Sequence, residues 1–227
     1  MQLAITTAIR VAIIASTSLA YALSGCDRQP SGSSISPAQD PPMPTSGEMT
    51  QAGERFDLAD FSITLPDSMA AVDLSSDDFA ALSTAMRSKF EARNLDAMSQ
   101  MVERYRASGR FKFFAADLTA DDPSFLDNVN VIVSRAPARM TQDQAASMSE
   151  RSLPEIGATL MRRDRFTSAS CTFDRLHSHF AETGAESVAY VLIRSGKLYV
   201  ITFTAKADRA GPFFGQASEI MSNFTAR

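Results

Sequence analysis

The chain has 227 residues, 44% of them hydrophobic, and a formal charge of −4 at neutral pH. That apolar fraction suits a folded protein and leaves room for one domain of ordinary size. Mild acidity with no block of like charge speaks against a nucleic-acid surface or a polybasic membrane contact.

Residues 1–25 hold one basic residue, Arg10, and no acidic one. Val11 to Leu23 is a run of apolar and small residues, too short and too weakly apolar to make a good membrane span. It closes on Leu23-Ser24-Gly25-Cys26. This tetrapeptide resembles the lipobox of bacterial lipoproteins, in which an aliphatic residue and two small residues precede a cysteine. The resemblance implies a diacylglyceryl group on the sulfur of Cys26, cleavage between Gly25 and Cys26, and acylation of the new amine, with palmitate as one such chain. An ordinary secretory signal cut after Ala20 or Ala22 would instead leave Cys26 incidental. Each buried acyl methylene contributes ~0.8 kcal/mol, so two or three chains hold a domain on a bilayer. Asp27 resembles the inner-membrane retention signal of enteric lipoproteins. The expected location is therefore the periplasmic side of a cell membrane, with the inner one favoured.

Residues 26–54 contain Pro30, Pro37, Pro41, Pro42 and Pro44 among Ser, Gly and Gln. Without apolar periodicity such a stretch cannot bury enough surface to order itself, and it reads as a flexible tether. A single domain is expected over 55–227.

Phe61-Ser62-Ile63-Thr64-Leu65 alternates apolar and polar residues before Pro66, which predicts a short strand. Asp67 to Ser76 reads as a polar loop. Asp77 and Asp78 suit a helix N-terminus, and Phe79, Leu82, Met86 and Phe90, then Leu95, Met98, Val102 and Tyr105, follow at helical spacing. Phe111 to Ala116 predicts a strand. Asp117 to Asp127 is acidic and turn-rich, but it lacks the spacing and glycine of a calcium loop and reads as solvated. Asn128 to Val133 predicts a strand with Val129, Val131 and Val133 on one face.

Thr141 and Gln144 form a capping box for a helix that directs Met148, Ile156 and Leu160 inward, with Pro154 kinking or dividing it. Phe166 to Phe180 is strand-like. Val188 to Ile193 and Leu198 to Phe203 are apolar on both faces and meet at Ser195-Gly196, a hairpin signal. A closing helix carries Phe213, Phe214, Ala217, Ile220, Met221 and Phe224 after Gly211-Pro212. Strands apolar on both faces need cover on both. The expected class is therefore α+β, an antiparallel sheet covered by helices on both faces.

This order of elements resembles the PsbP-like and DcrB-like sandwich. The residues that carry it are Phe61 to Pro66, Asn128-Val129-Asn130-Val131, and Leu198 to Ala205 before an aromatic helix ending at Phe224. An aromatic residue, often Trp, commonly follows the first strand in that group; here Met69 stands nearby and Trp is absent. The resemblance implies an α/β/α sandwich and an interaction module, since members are mostly non-enzymatic assembly factors or accessory subunits and several are lipoproteins. No catalytic residue carries over.

The chain contains no G-x-S-x-G, P-loop, dinucleotide fingerprint or C-x-x-C. It points to no cofactor and no catalytic residue. His177 and His179 are its two histidines, and their i, i+2 spacing puts both rings on one side of a strand. They are the weak candidates for a zinc or copper site, with Asp174 or Glu182 as a further ligand; a solvated strand accounts for the same spacing.

Cys171 lacks an intrachain partner once Cys26 is lipidated. It reads as a buried small hydrophobe or as a reactive thiol. Pairing it with His177 would need a bend, because six residues of extended strand cover about 20 Å. Arg162, Arg163 and Arg165 read as solvated charge at a helix C-terminus or as a receptor for an acidic partner or lipid headgroup. The expected partners are the bilayer, through Cys26, and an envelope protein; nucleic acid is not expected. The runner-up reading is a small-ligand or metal-binding periplasmic domain.

Overall fold

The structure is a computed structural model and describes residues 53–73, 110–117, 119 and 125–227. The helical stripes from Phe79 to Tyr105 and most of the acidic stretch before Phe125 lie outside the described residues, as do Cys26 and the tether up to residue 52. In chain order the elements are β1 (Glu54–Asp57), β2 (Phe61–Leu65), β3 (Met69–Asp73), β4 (Phe111–Asp117), β5 (Asn128–Arg135) and α1 (Gln142–Ser152). A 3-10 turn (Pro154–Ile156) leads to β6 (Ala158–Thr167), β7 (Thr172–Phe180), β8 (Ala185–Arg194), β9 (Lys197–Lys206), α2 (Ala210–Ser222) and β10 (Thr225–Ala226).

Among the described residues seven strands form one sheet in the order β3-β4-β5-β9-β8-β7-β6, and β1-β2-β10 form a second, smaller one. Every pairing is antiparallel. The β8–β9 hairpin turns at Ser195 and Gly196, whose φ angles of 52° and 72° are both left-handed. That is the backbone of a type I′ turn, whose twist matches the strands it joins.

β9 is buried on both faces, and its alternate residues feed two separate cores. On one face Leu198 and Val200 pack with Ile132, Leu176, Val191 and Phe114, and α1 adds Ala145. On the other, Tyr199, Ile201 and Phe203 pack with Val129, Val131, Tyr190 and Phe173. That second core is closed by Phe213, Ala217, Ile220 and Met221 of α2, and also by Phe61, Ile63 and Leu65 of β2. A small sheet therefore shares with α2 the cover that was expected from helices alone.

Local chemistry sets the ends of α1. Thr141 accepts from the Gln144 backbone N–H, and the Gln144 side chain accepts from the Thr141 N–H. This reciprocal cap satisfies two otherwise orphan donors. At the other end Pro154 ends the helix instead of kinking it, because it has no N–H to give. Gly157, with φ of 73°, turns the chain into β6.

Leu160, Arg162, Arg163 and Arg165 consequently lie on a strand, not on a helix. The buried face of α1 is Ala145, Ala146, Ser149 and Ser152, while Met148 is half-buried. Part of the expected loop after Asp67 is also strand: β3 pairs along β4, with Met69 opposite Asp117 and buried. The partner strand starts some forty residues later, beyond the reach of local sequence pattern.

Candidate functional site

β7 sorts the polar residues of the large sheet by parity. His177 and His179 alternate with Leu176, Ser178 and Phe180, so both imidazoles face the α2 side. His177 meets the Phe214 ring edge-on, with centroids 6.2 Å apart. Arg162 and Val188 flank His177 across the ladder, and Thr159 and Glu186 flank His179. His177 Nε2 and His179 Nδ1 are buried without a hydrogen-bond partner. Burial first, and then the positive charge of Arg175, pull the His177 pKa down to about 4. The ring is neutral at neutral pH.

The further ligands proposed for these histidines are placed elsewhere. Asp174 has the opposite parity and joins Arg163 on the α1 side. Glu182 is exposed in the β7–β8 turn. Among the described residues no three His, Cys, Asp or Glu side chains gather into a group that could hold a metal ion.

Cys171 is free and buried just before β7, and the Arg194 guanidinium donates to its sulfur at 2.9 Å. It lies at the end of β7 away from His179, six residues from His177 with no bend in the strand between them, so the two are not a nucleophile pair. The basic cluster is largely neutralised. Asp164 accepts from Arg175 at 2.8 and 2.9 Å and pairs with Arg162. Arg163 reaches Asp143 at 2.6 Å and Ser147 at 3.0 Å, which fastens α1 to β6. Arg165 is exposed. Asp127, expected in a solvated loop, is 3% exposed and ion-paired to Arg209.

The α1 side of the sheet also holds a polar band that lies deeper. The registers align Ser178 with Ser187, Ser187 with Thr204, and Thr204 with Asn128, and in the next row Thr202 with Asn130. All six are at most 3% exposed. Ser178 and Ser187 hydrogen-bond each other at 2.8 Å, and Asn128 donates to the Leu126 carbonyl at 2.9 Å. Asn128 Oδ1, Thr204 Oγ1 and both heteroatoms of the Asn130 amide have no partner. Each such group costs about 1–3 kcal/mol in a dry interior.

No family model and no curated protein matches the sequence. The structure is similar to the solution structure of CyanoP, the cyanobacterial PsbP of Synechocystis. The TM-score is 0.52 at 15% identity, over 81% of this chain and 98% of that one. The fold is PsbP-like. LpqN of Mycobacterium tuberculosis, described as involved in cell envelope biogenesis, superposes at a TM-score of 0.47 with 11% identity, over 78% of this chain and 86% of that one. The Saccharomyces cerevisiae Ran-binding protein Mog1p gives 0.45 at 9% identity, over 78% and 96%.

Within this PsbP-like sheet the buried polar band is the feature that sequence reasoning missed. Asn-Val-Asn-Val in β5 alternates as though one face were wet. The signal to the contrary was β9: a strand apolar on both faces must sit at the centre of a sheet, and its neighbour β5 is then covered on both faces too.

Proposed function

We propose that the chain is a membrane-anchored bacterial lipoprotein whose domain serves as a non-catalytic interaction or assembly module of the cell envelope. The observation that carries this reading is Leu23-Ser24-Gly25-Cys26, followed by a Pro/Ser-rich stretch that leads into β1. In this reading residues 1–25 are a signal peptide and residues 26–54 a tether. Residues 55–227 form one α+β sandwich, with α1 on one face and α2 on the other. A flexible chain of that length has a root-mean-square reach of about 30 Å. Lipid on Cys26 would thus hold the domain at about that distance on average from the periplasmic membrane surface and raise its effective concentration toward membrane partners. The fold itself names no reaction.

A chromosomally tagged protein, crosslinked mildly in intact cells and pulled down, tests the reading against a soluble Cys26→Ser form with an ordinary secretory signal. A specific membrane partner captured by the anchored form and lost with the soluble one is the expected result. Identical captures from both forms, or no enrichment over the control, would contradict it.

A second reading, a small-ligand or metal-binding periplasmic domain, is favoured by the buried, unpartnered nitrogens of His177 and His179. Zinc titration of the parent beside the His177→Ala, His179→Ala double variant decides it. Equal zinc uptake by the two proteins removes these residues from consideration.

A further inference from the structure

Three basic residues lie side by side at one end of the large sheet. Arg135 of β5 is opposite Lys197 of β9, and Lys197 is in turn opposite Arg194 of β8. Parity puts all three on the α2 face, in line with Val133, Tyr199 and Leu192. Neighbouring strands are about 5 Å apart, so the row is about 10 Å wide. Arg135 and Arg194 are exposed. Like charges directly opposite one another cost a sheet stability, and here the cost falls on two successive pairs.

The row keeps its charge. Asp60 accepts from Lys197 at 2.8 Å, and this hydrogen bond holds the ammonium pKa above its usual value. Arg194 donates to the Ser170 carbonyl and to the Cys171 sulfur, both at 2.9 Å, and neither partner is a carboxylate. Arg135 makes no side-chain hydrogen bond or ion pair among the described residues.

We propose that this row is the docking site for an acidic segment of a partner protein. The inference rests on the interaction-module reading and supplies the chemistry of the partner. A guanidinium presents its N–H donors as a planar fork that matches a carboxylate, and Arg135 and Arg194 set one such fork on each side of Lys197. Carboxylates on one side of an extended segment recur about every 7 Å, so two of them fall within reach of the row. Its position favours a protein over the bilayer. The first strand begins at Glu54, which pairs with Leu65, while Asp60 and Lys197 meet at the turn end of the same β1–β2 hairpin. Roughly 17 Å of strand separates the two ends. An anchor on residues before Glu54 therefore joins the domain away from the row.

Fluorescence anisotropy of the full-length chain in non-ionic detergent tests the proposal, with dye-labelled oligoglutamate as probe and oligoglutamine as control. Oligoglutamate binds at low salt and weakens toward physiological ionic strength, and oligoglutamine does not bind. Arg135→Glu lowers the oligoglutamate affinity about tenfold or more. Arg165→Glu makes the same change of charge at an exposed position of β6 and leaves the affinity within about twofold. Arg135→Glu also melts at or above the parent's temperature, because a carboxylate then lies opposite Lys197. Absence of oligoglutamate binding overturns the proposal, and so do equal losses in the two variants, which would mark a diffuse effect of net charge. A melting temperature of Arg135→Glu well below the parent's overturns it by giving Arg135 a structural role. Binding of the soluble Cys26→Ser form to phosphatidylglycerol vesicles but not to oligoglutamate overturns it in favour of a lipid surface. The titration reads the row without a membrane, so its failure is distinct from a failure of tethering or of partner capture in cells.

Discussion

Asp127 and Arg209, 82 residues apart in the chain, form a two-point ion pair at the start of α2, with Nε to Oδ2 and Nη2 to Oδ1 both at 2.9 Å. The Lys206 backbone N–H adds a third donor to the same carboxylate at 3.4 Å. The contact fastens the start of β5 to the residue that caps α2, and so sets the angle at which that helix covers the sheet.

The exposure of the two partners is unequal, and this orders the expected losses. The Asp127 side chain is 5% exposed and that of Arg209 30%. Removing the arginine strands a carboxylate in the interior, at a cost of about 3 kcal/mol. Arg209→Ala should therefore destabilise more than Asp127→Ala, which leaves behind the more exposed of the two partners. Urea denaturation of the two variants measures the difference; equal losses would mean that the pair is effectively solvated.

Acid should weaken the fold through His177. Its pKa is about 4 in the folded chain, against 6.5 for a free imidazole. The folded state thus binds the proton less readily than the unfolded state. Stability is full above pH 6.5, falls as pH drops from 6.5 toward 4, and levels off for this group below that. His177→Leu should flatten the urea midpoint across that window. An unchanged pH slope in the variant would assign the acid sensitivity to other groups.

The capping box of α1 offers a smaller and cleaner test. Thr141→Ala removes the acceptor for the Gln144 N–H and should cost about 1 kcal/mol, while Thr141→Ser should keep most of it. Denaturant midpoints of the three proteins report the difference directly, and an Ala variant as stable as the parent would mean that the cap is replaced by water.

What was legible in the sequence was local. The capping box at Thr141 and Gln144, the turn at Ser195-Gly196, and the valine stripe of β5 are each written within a few residues. What was missed needed the tertiary arrangement. β3 is a strand because β4 lies beside it. Leu160 to Arg165 follow a proline that ends a helix, and from spacing alone a stop and a kink look alike. Asp127 read as solvated because acidic turn-rich stretches usually are, and only its packing and its ion pair with Arg209, 82 residues away, make it interior. The sequence carried the candidate histidines, but the parity of β7 decided that Asp174 could not join them.

The closing aromatic is expected to be the costliest residue in the second core. Phe224 is fully buried, stacks on Phe61 at 5.5 Å and meets Phe173 edge-on at 6.0 Å. Phe224→Ala should cost about 3–5 kcal/mol, since it opens a cavity between the two sheets. A loss under about 1 kcal/mol would instead indicate that the core collapses to fill the space.

Membrane anchoring depends on Cys26, and mass spectrometry of the N-terminal peptide from the membrane fraction tests it most directly. The expected result is a chain that begins at Cys26 and carries a diacylglyceryl group on sulfur, with an acyl chain on the amine. An unmodified chain in the soluble extract, cut after Ala20 or Ala22, would contradict it.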